Sequence, residues 1–139
     1  MCLIICVMLF GNVVTVSAAT LPSQGTPITP LWNSIDCAEL EIFFDGTTGV
    51  VRGKAIMKPT ASSIEATVAL YYLSNGEWYY VDEWYSRVTE GTLLIAETFD
   101  AVRGVTYKAI FDIYAYTGNI PEYAGYEYEK TCPLTDSEE

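Results

Sequence analysis

The chain has 139 residues, carries 18 acidic against 7 basic side chains for a net charge of −11, and contains no histidine. That charge repels nucleic acid, whose phosphates need Lys and Arg, and disfavours an anionic membrane surface. Without histidine there is no Ser-His or Cys-His nucleophile pair and no His-ligated metal, and the chain also lacks a Gly-rich phosphate loop.

Residues 1–19 are uncharged, apolar from Leu3 to Phe10, and end in Ser17, Ala18 and Ala19 before the polar Thr20. This is the shape of a signal peptide, with cleavage expected after Ala18 or after Ala19. Cleavage makes the protein secreted or extracellular, with no membrane insertion of the mature chain. The other reading is an uncleaved anchor, because no Lys or Arg precedes Leu3. The apolar stretch is then at the short end of the ~17–25 residues that cross a bilayer, and the protein is surface-tethered. Residues 20–34, with Pro22, Pro27 and Pro30, read as a Pro/Ser/Thr-rich linker.

Cys2 and Cys6 leave with the leader, and Cys37 and Cys132 remain. An even pair in an oxidising compartment predicts one disulfide between them. It would close a loop of nearly the whole domain, worth about 4–5 kcal/mol by loop-closure entropy. Two cysteines without histidine do not complete a zinc site. No metal and no cofactor is expected.

Residues 35–133 form the predicted domain, and 134–139 an acidic, frayed tail. Throughout the domain the hydrophobic period is two. In Cys37–Phe44, Ala38, Leu40, Ile42 and Phe44 share a face, with Glu39 and Glu41 opposite. After a turn at Asp45–Gly49, Val51, Gly53, Ala55 and Met57 alternate with Arg52 and Lys54. The two strands predict a hairpin with cross-strand charge pairs on its outer side. Ile64–Leu73 alternates again, with Ile64, Ala66, Val68, Leu70 and Tyr72 on one face. Asn75-Gly76 then predicts a type I′ turn, because both positions tolerate positive φ. Trp78–Val88 is the return strand, followed by Thr92–Phe99 and the long Val105–Tyr116. Thr117–Pro121 is read as a break and Gly125–Cys132 as the last strand. About seven short strands without a helix predict an all-β fold, a single antiparallel β-sandwich.

Gly104-Val105-Thr106-Tyr107 before a long alternating strand resembles the Gly-x-x-Tyr lead into the penultimate strand of fibronectin type III and immunoglobulin-like domains. Gly76-Glu77-Trp78, Trp84 and this Gly-x-x-Tyr also resemble short secreted proteins of Gram-positive bacteria without an assigned function. The resemblance covers roughly residues 35–132 and implies an immunoglobulin/fibronectin III-like sandwich. The fold alone implies no activity.

The chemistry that remains is carboxylate, calcium or aromatic. Asp82, Glu83, Glu97 and Asp112 are the candidate paired carboxylates of a glycan-active enzyme. Asp36, Glu39, Asp45, Glu127 and Glu129 supply hard oxygens, but no Asp-x-Asp-x-Asp-Gly calcium loop is present. The aromatic run Tyr71, Tyr72, Trp78, Tyr79, Tyr80, Trp84 and Tyr85 falls on one hairpin. Alternation sends Trp78, Tyr80 and Trp84 to one face and Tyr79, Val81 and Tyr85 to the other. One set fills the core, and the other is covered by neighbours or exposed as a binding row. The expectation is therefore a secreted, non-enzymatic sandwich acting by surface contact or as a structural component, its partner an unknown protein or a glycan. The alternative is a carbohydrate-binding module that uses Trp78, Tyr79, Tyr80, Trp84 and Tyr85.

Overall fold

The computed structural model describes residues 33–136. The leader and nearly all of the linker lie outside the described residues. Seven strands follow in chain order: β1 (Ile35–Asp45), β2 (Thr48–Met57), β3 (Ser63–Ser74), β4 (Glu77–Val88), β5 (Thr92–Asp100), β6 (Thr106–Thr117) and β7 (Ile120–Thr131). They pair as two antiparallel sheets, a three-stranded one in the order β1-β2-β5 and a four-stranded one in the order β4-β3-β6-β7. The fold is an all-β sandwich. Hairpins join β1 to β2, β3 to β4 and β6 to β7, and the remaining connections cross between sheets.

The alternation that predicts these strands also sets their burial. Ala38, Leu40 and Ile42 on β1, Val51 and Ala55 on β2, and Ala109, Phe111 and Ile113 on β6 point between the sheets and are buried. On the outer side of β1 and β2, Glu39 stands opposite Lys54 and Glu41 opposite Arg52. Both pairs form ion pairs, the first with 3.8 Å between Nζ and Oε2. They are partly exposed, so each is worth only about 0–1 kcal/mol, but like charges in these positions would oppose the register. The β3–β4 turn has φ of 51° at Asn75 and 82° at Gly76, the pair of positive values that a two-residue type I′ hairpin requires.

At one point between the sheets, side chains of one press against bare backbone of the other. A Cβ on Gly53 of β2 would lie 2.8 Å from Val68 Cγ2 and 2.9 Å from Phe111 Cε2, both on the facing sheet. Phe111 therefore sits over bare backbone, fully buried. At the turn between β5 and β6, the Tyr107 hydroxyl accepts a 2.9 Å hydrogen bond from the Val102 N–H. That bond satisfies a donor that the turn would otherwise leave open.

Three sequence expectations change. First, β7 begins at Ile120, five residues before the predicted start. Pro121 did not break the chain, because β7 is a sheet edge and Pro121 sits near its beginning, where a missing N–H costs little. Second, Leu134–Asp136 are tied down. Arg103 Nη2 meets Asp136 Oδ1 at 2.5 Å, and Arg103 Nη1 donates to the Pro133 carbonyl at 3.3 Å.

Third, no disulfide joins Cys37 and Cys132. The β1 and β7 strands run the same way. Ser34, before β1, bonds Thr117 beside the start of β7 at 2.7 Å. At the other end, the Cys132 thiol lies 3.6 Å from the carbonyl of Gly46, just past β1. From Cys37 to Gly46 the strand climbs about 30 Å at ~3.3 Å per residue, whereas a disulfide needs its Cα atoms within about 7 Å. The first and last strands lie side by side with their cysteines at opposite poles.

Two measurements check this packing. Gly53→Ala should destabilise by about 1–3 kcal/mol in denaturant unfolding, because the methyl group drives the sheets apart. A glycine in a strand interior is ordinarily a weakness, so an unchanged or raised midpoint would contradict the close approach. Alkylation of the denatured, unreduced protein should label both Cys37 and Cys132 in full.

Candidate functional site

The aromatic hairpin does not alternate as a simple strand. Leu70 pairs with Asp82, yet the next residue, Tyr71, pairs with Tyr80. Val81 is thus an extra residue in β4, a β-bulge, and a bulge shifts every residue beyond it to the other face. Trp84 lies on the inner side and packs half-buried against the core, as does Val81. Trp78 and Tyr85, read from the alternation as opposite-facing, both stand on the outer side. Tyr80 packs edge-on against Tyr71, with ring centroids 5.9 Å apart. Tyr79 is on the inner register and stacks on Tyr72 at 5.4 Å, and its hydroxyl donates to Glu77. The five candidate residues do not form one row.

The outer face of the four-stranded sheet gathers others instead. At one end, the Lys108 ammonium lies 4.3 Å from the centre of the Trp78 ring, beside Tyr71 and Tyr80. At the other end, register aligns Arg87 of β4, Glu65 of β3, Tyr114 of β6 and Tyr123 of β7 in one row across the sheet. Glu65 accepts hydrogen bonds from the hydroxyls of Tyr85, at 3.0 Å, and Tyr116, at 3.1 Å. The Tyr123 hydroxyl donates to Asp112 at 2.6 Å, and its ring lies 5.1 Å from that of Tyr114. Tyr80, Tyr85, Tyr114 and Tyr123 are exposed, at 59, 62, 43 and 55%.

Gly125 explains how Tyr123 is held. A Cβ there would collide with the Tyr123 hydroxyl and lie 3.0 Å from its Cζ. The ring therefore lies down along the strand, over the one residue that leaves it room, with Asp112 fixing its far end. Tyr114, Tyr116 and Tyr123 escaped the sequence reading because they belong to the β6–β7 hairpin, far along the chain from β4. Period two in Tyr114-x-Tyr116 and the spacing Tyr123-x-Gly125 were the available signals.

The carboxylate candidates do not converge. Asp112 lies on the outer face of the four-stranded sheet, and Glu97 is exposed on β5, at the edge of the other sheet. Asp82 and Glu83 are exposed on β4. Among the described residues, no group of three or more His, Cys, Asp or Glu side chains is placed to hold a metal ion. No protein-family model matches the chain, and a search of curated proteins finds no similar sequence.

These contacts change the phenols. The hydrogen bond to Asp112, with help from partial burial and the charge of that carboxylate, pushes Tyr123 up to about 12. Burial, with the Cys37 side chain nearby, pushes Tyr126 on the inner side of β7 up to about 12 as well. The hydrogen bond to Glu65 raises Tyr85 and Tyr116. Because the folded values lie above the ordinary value of about 10, the stabilisation is complete below pH ~10 and is lost as pH rises through about 12. Ultraviolet titration should show Tyr123 and Tyr126 among the last tyrosines to ionise. Asp112→Asn should bring Tyr123 back toward its ordinary range and leave Tyr126 where it is.

Proposed function

We propose that the protein is an exported, non-enzymatic sandwich of the immunoglobulin/fibronectin III-like kind, acting by contact through the outer face of its four-stranded sheet. The observation that carries this reading is the exposed tyrosine–carboxylate row across β4, β3, β6 and β7, with Tyr85, Tyr116 and Tyr123 pinned to Glu65 and Asp112. Exposed aromatic groups held in fixed positions lose little entropy when something binds them. They fill no core, because register sets them on the outer face of the four-stranded sheet.

The fold-level part of the reading is supported by the strand order and by the Tyr107 hydroxyl bonded back to Val102, the tyrosine corner of such sandwiches. Export is supported by the apolar leader in residues 1–19. The absence of catalysis is supported by the lack of histidine in the chain and by the separation of Glu97 from Asp112.

Hydroxyl-radical footprinting tests the contact without knowledge of the partner. Oxidation is measured on the purified protein and on the protein in the medium and surface fraction of the cells that make it. Tyr80, Tyr85, Tyr114 and Tyr123 should be protected in the cellular sample, with Leu94 on the opposite sheet unchanged. Equal reactivity on both faces would overturn the reading.

A further inference from the structure

We infer that the ligand of this face is a neutral polysaccharide, lying along the row Tyr123–Tyr114–Glu65–Arg87. The inference rests on the contact reading above and names its partner. The row crosses four strands, about 14 Å at ~4.8 Å per strand, which suits a short run of sugar rings rather than a single small molecule.

Three observations favour sugar over protein. First, Tyr123 lies along the sheet over Gly125 and is fixed by Asp112. It offers a ring face that is already oriented, and the C–H face of a pyranose packs on such a ring as on any apolar plane. Second, acceptors and donors for hydroxyl groups sit beside that platform. The two oxygens of Glu65 each take one tyrosine hydroxyl, and each retains a free lone pair for a ligand. Arg87 stands opposite Glu65 in register. The two line a cleft of about 460 Å³ with Ser62, Thr89, Tyr116 and Asn119, within the size range of small-ligand sites. Third, apart from the half-exposed Leu73 and Ile110, this face offers a partner rings and polar groups rather than aliphatic ones. The exposed aliphatics among the described residues, Leu94, Val102, Ile120 and Leu134, all lie elsewhere.

Charge decides which polysaccharide. On this face Glu65, Glu83, Asp112, Glu127 and Glu129 outnumber Lys108 and Arg87, and the whole chain carries −11. An anionic glycan is repelled. An uncharged one brings only hydroxyl groups, which the carboxylates accept.

Affinity electrophoresis of the protein tests this, in native gels containing xyloglucan, mixed-linkage β-glucan, galactomannan or glycogen, with alginate as the anionic comparison. At least one neutral polymer should retard the protein, and alginate should not. Tyr123→Ala should weaken the retardation about tenfold, the loss of one stacked ring. Gly125→Ala should weaken it too, because it keeps the tyrosine but lifts its ring. Leu94→Ser on the other sheet should leave it unchanged, and thermal unfolding of each variant reports whether it is folded. No retardation by any neutral polymer, or retardation insensitive to Tyr123→Ala in a folded protein, would overturn the inference. Protection of the face in footprinting, combined with no retardation, would assign the contact to a protein partner and leave the contact reading standing.

Discussion

At the centre of the sandwich an aromatic ring is seated on bare backbone. Phe111 projects from the middle of β6 to the point on β2 where Gly53 has no side chain, and Val68 closes in beside it. Sheets in a sandwich normally stand about 10 Å apart, filled from both sides. At Gly53 the filling comes from the facing sheet, through Phe111 and Val68. Around this point the core is mostly aliphatic, with Phe99 and Tyr107 buried beside Phe44, and with Trp84, Tyr126 and Tyr128 packed against it from the four-stranded sheet. The exposure of Tyr80, Tyr85, Tyr114 and Tyr123 follows from strand register, which sets them on the outer face.

The fold was legible in the sequence wherever a strand keeps strict alternation. Ala38, Leu40 and Ile42 announce the inner face of β1, and Glu39 and Glu41 opposite Lys54 and Arg52 announce its partner and register. Asn75-Gly76 marks its turn because few other dipeptides accept two positive φ angles. Legibility stopped where physics works between distant segments. Parity of cysteines says nothing about which pole of a strand each occupies, so the pair at Cys37 and Cys132 was paired in the wrong geometry. Pro121 looked like a terminator because a sequence does not show that β7 is an edge.

The candidate site was half legible for a related reason. A cluster of aromatic residues on β4 was visible at once. The single extra residue at Val81 that separates Trp84 from Trp78 was not, because a bulge carries no composition signal when its residue is an ordinary strand former. The β6–β7 half of the face was invisible as a site until β6 was placed beside β3. Tyr123 then acquires meaning from Gly125, two residues on, and from Asp112 on the neighbouring strand. Each is unremarkable alone.

The parallel course of β1 and β7 has a mechanical side. The described chain begins at Asn33, beside Glu122 at one pole, and leaves at Asp136, beside Arg103 at the other. A pull applied between those ends runs along the strands, while the ladder hydrogen bonds run across them. The hydrogen bonds of a loaded strand are then sheared together and cannot be peeled open one at a time. A sandwich loaded between those ends resists tension lengthwise, with the outer face of its four-stranded sheet along the flank.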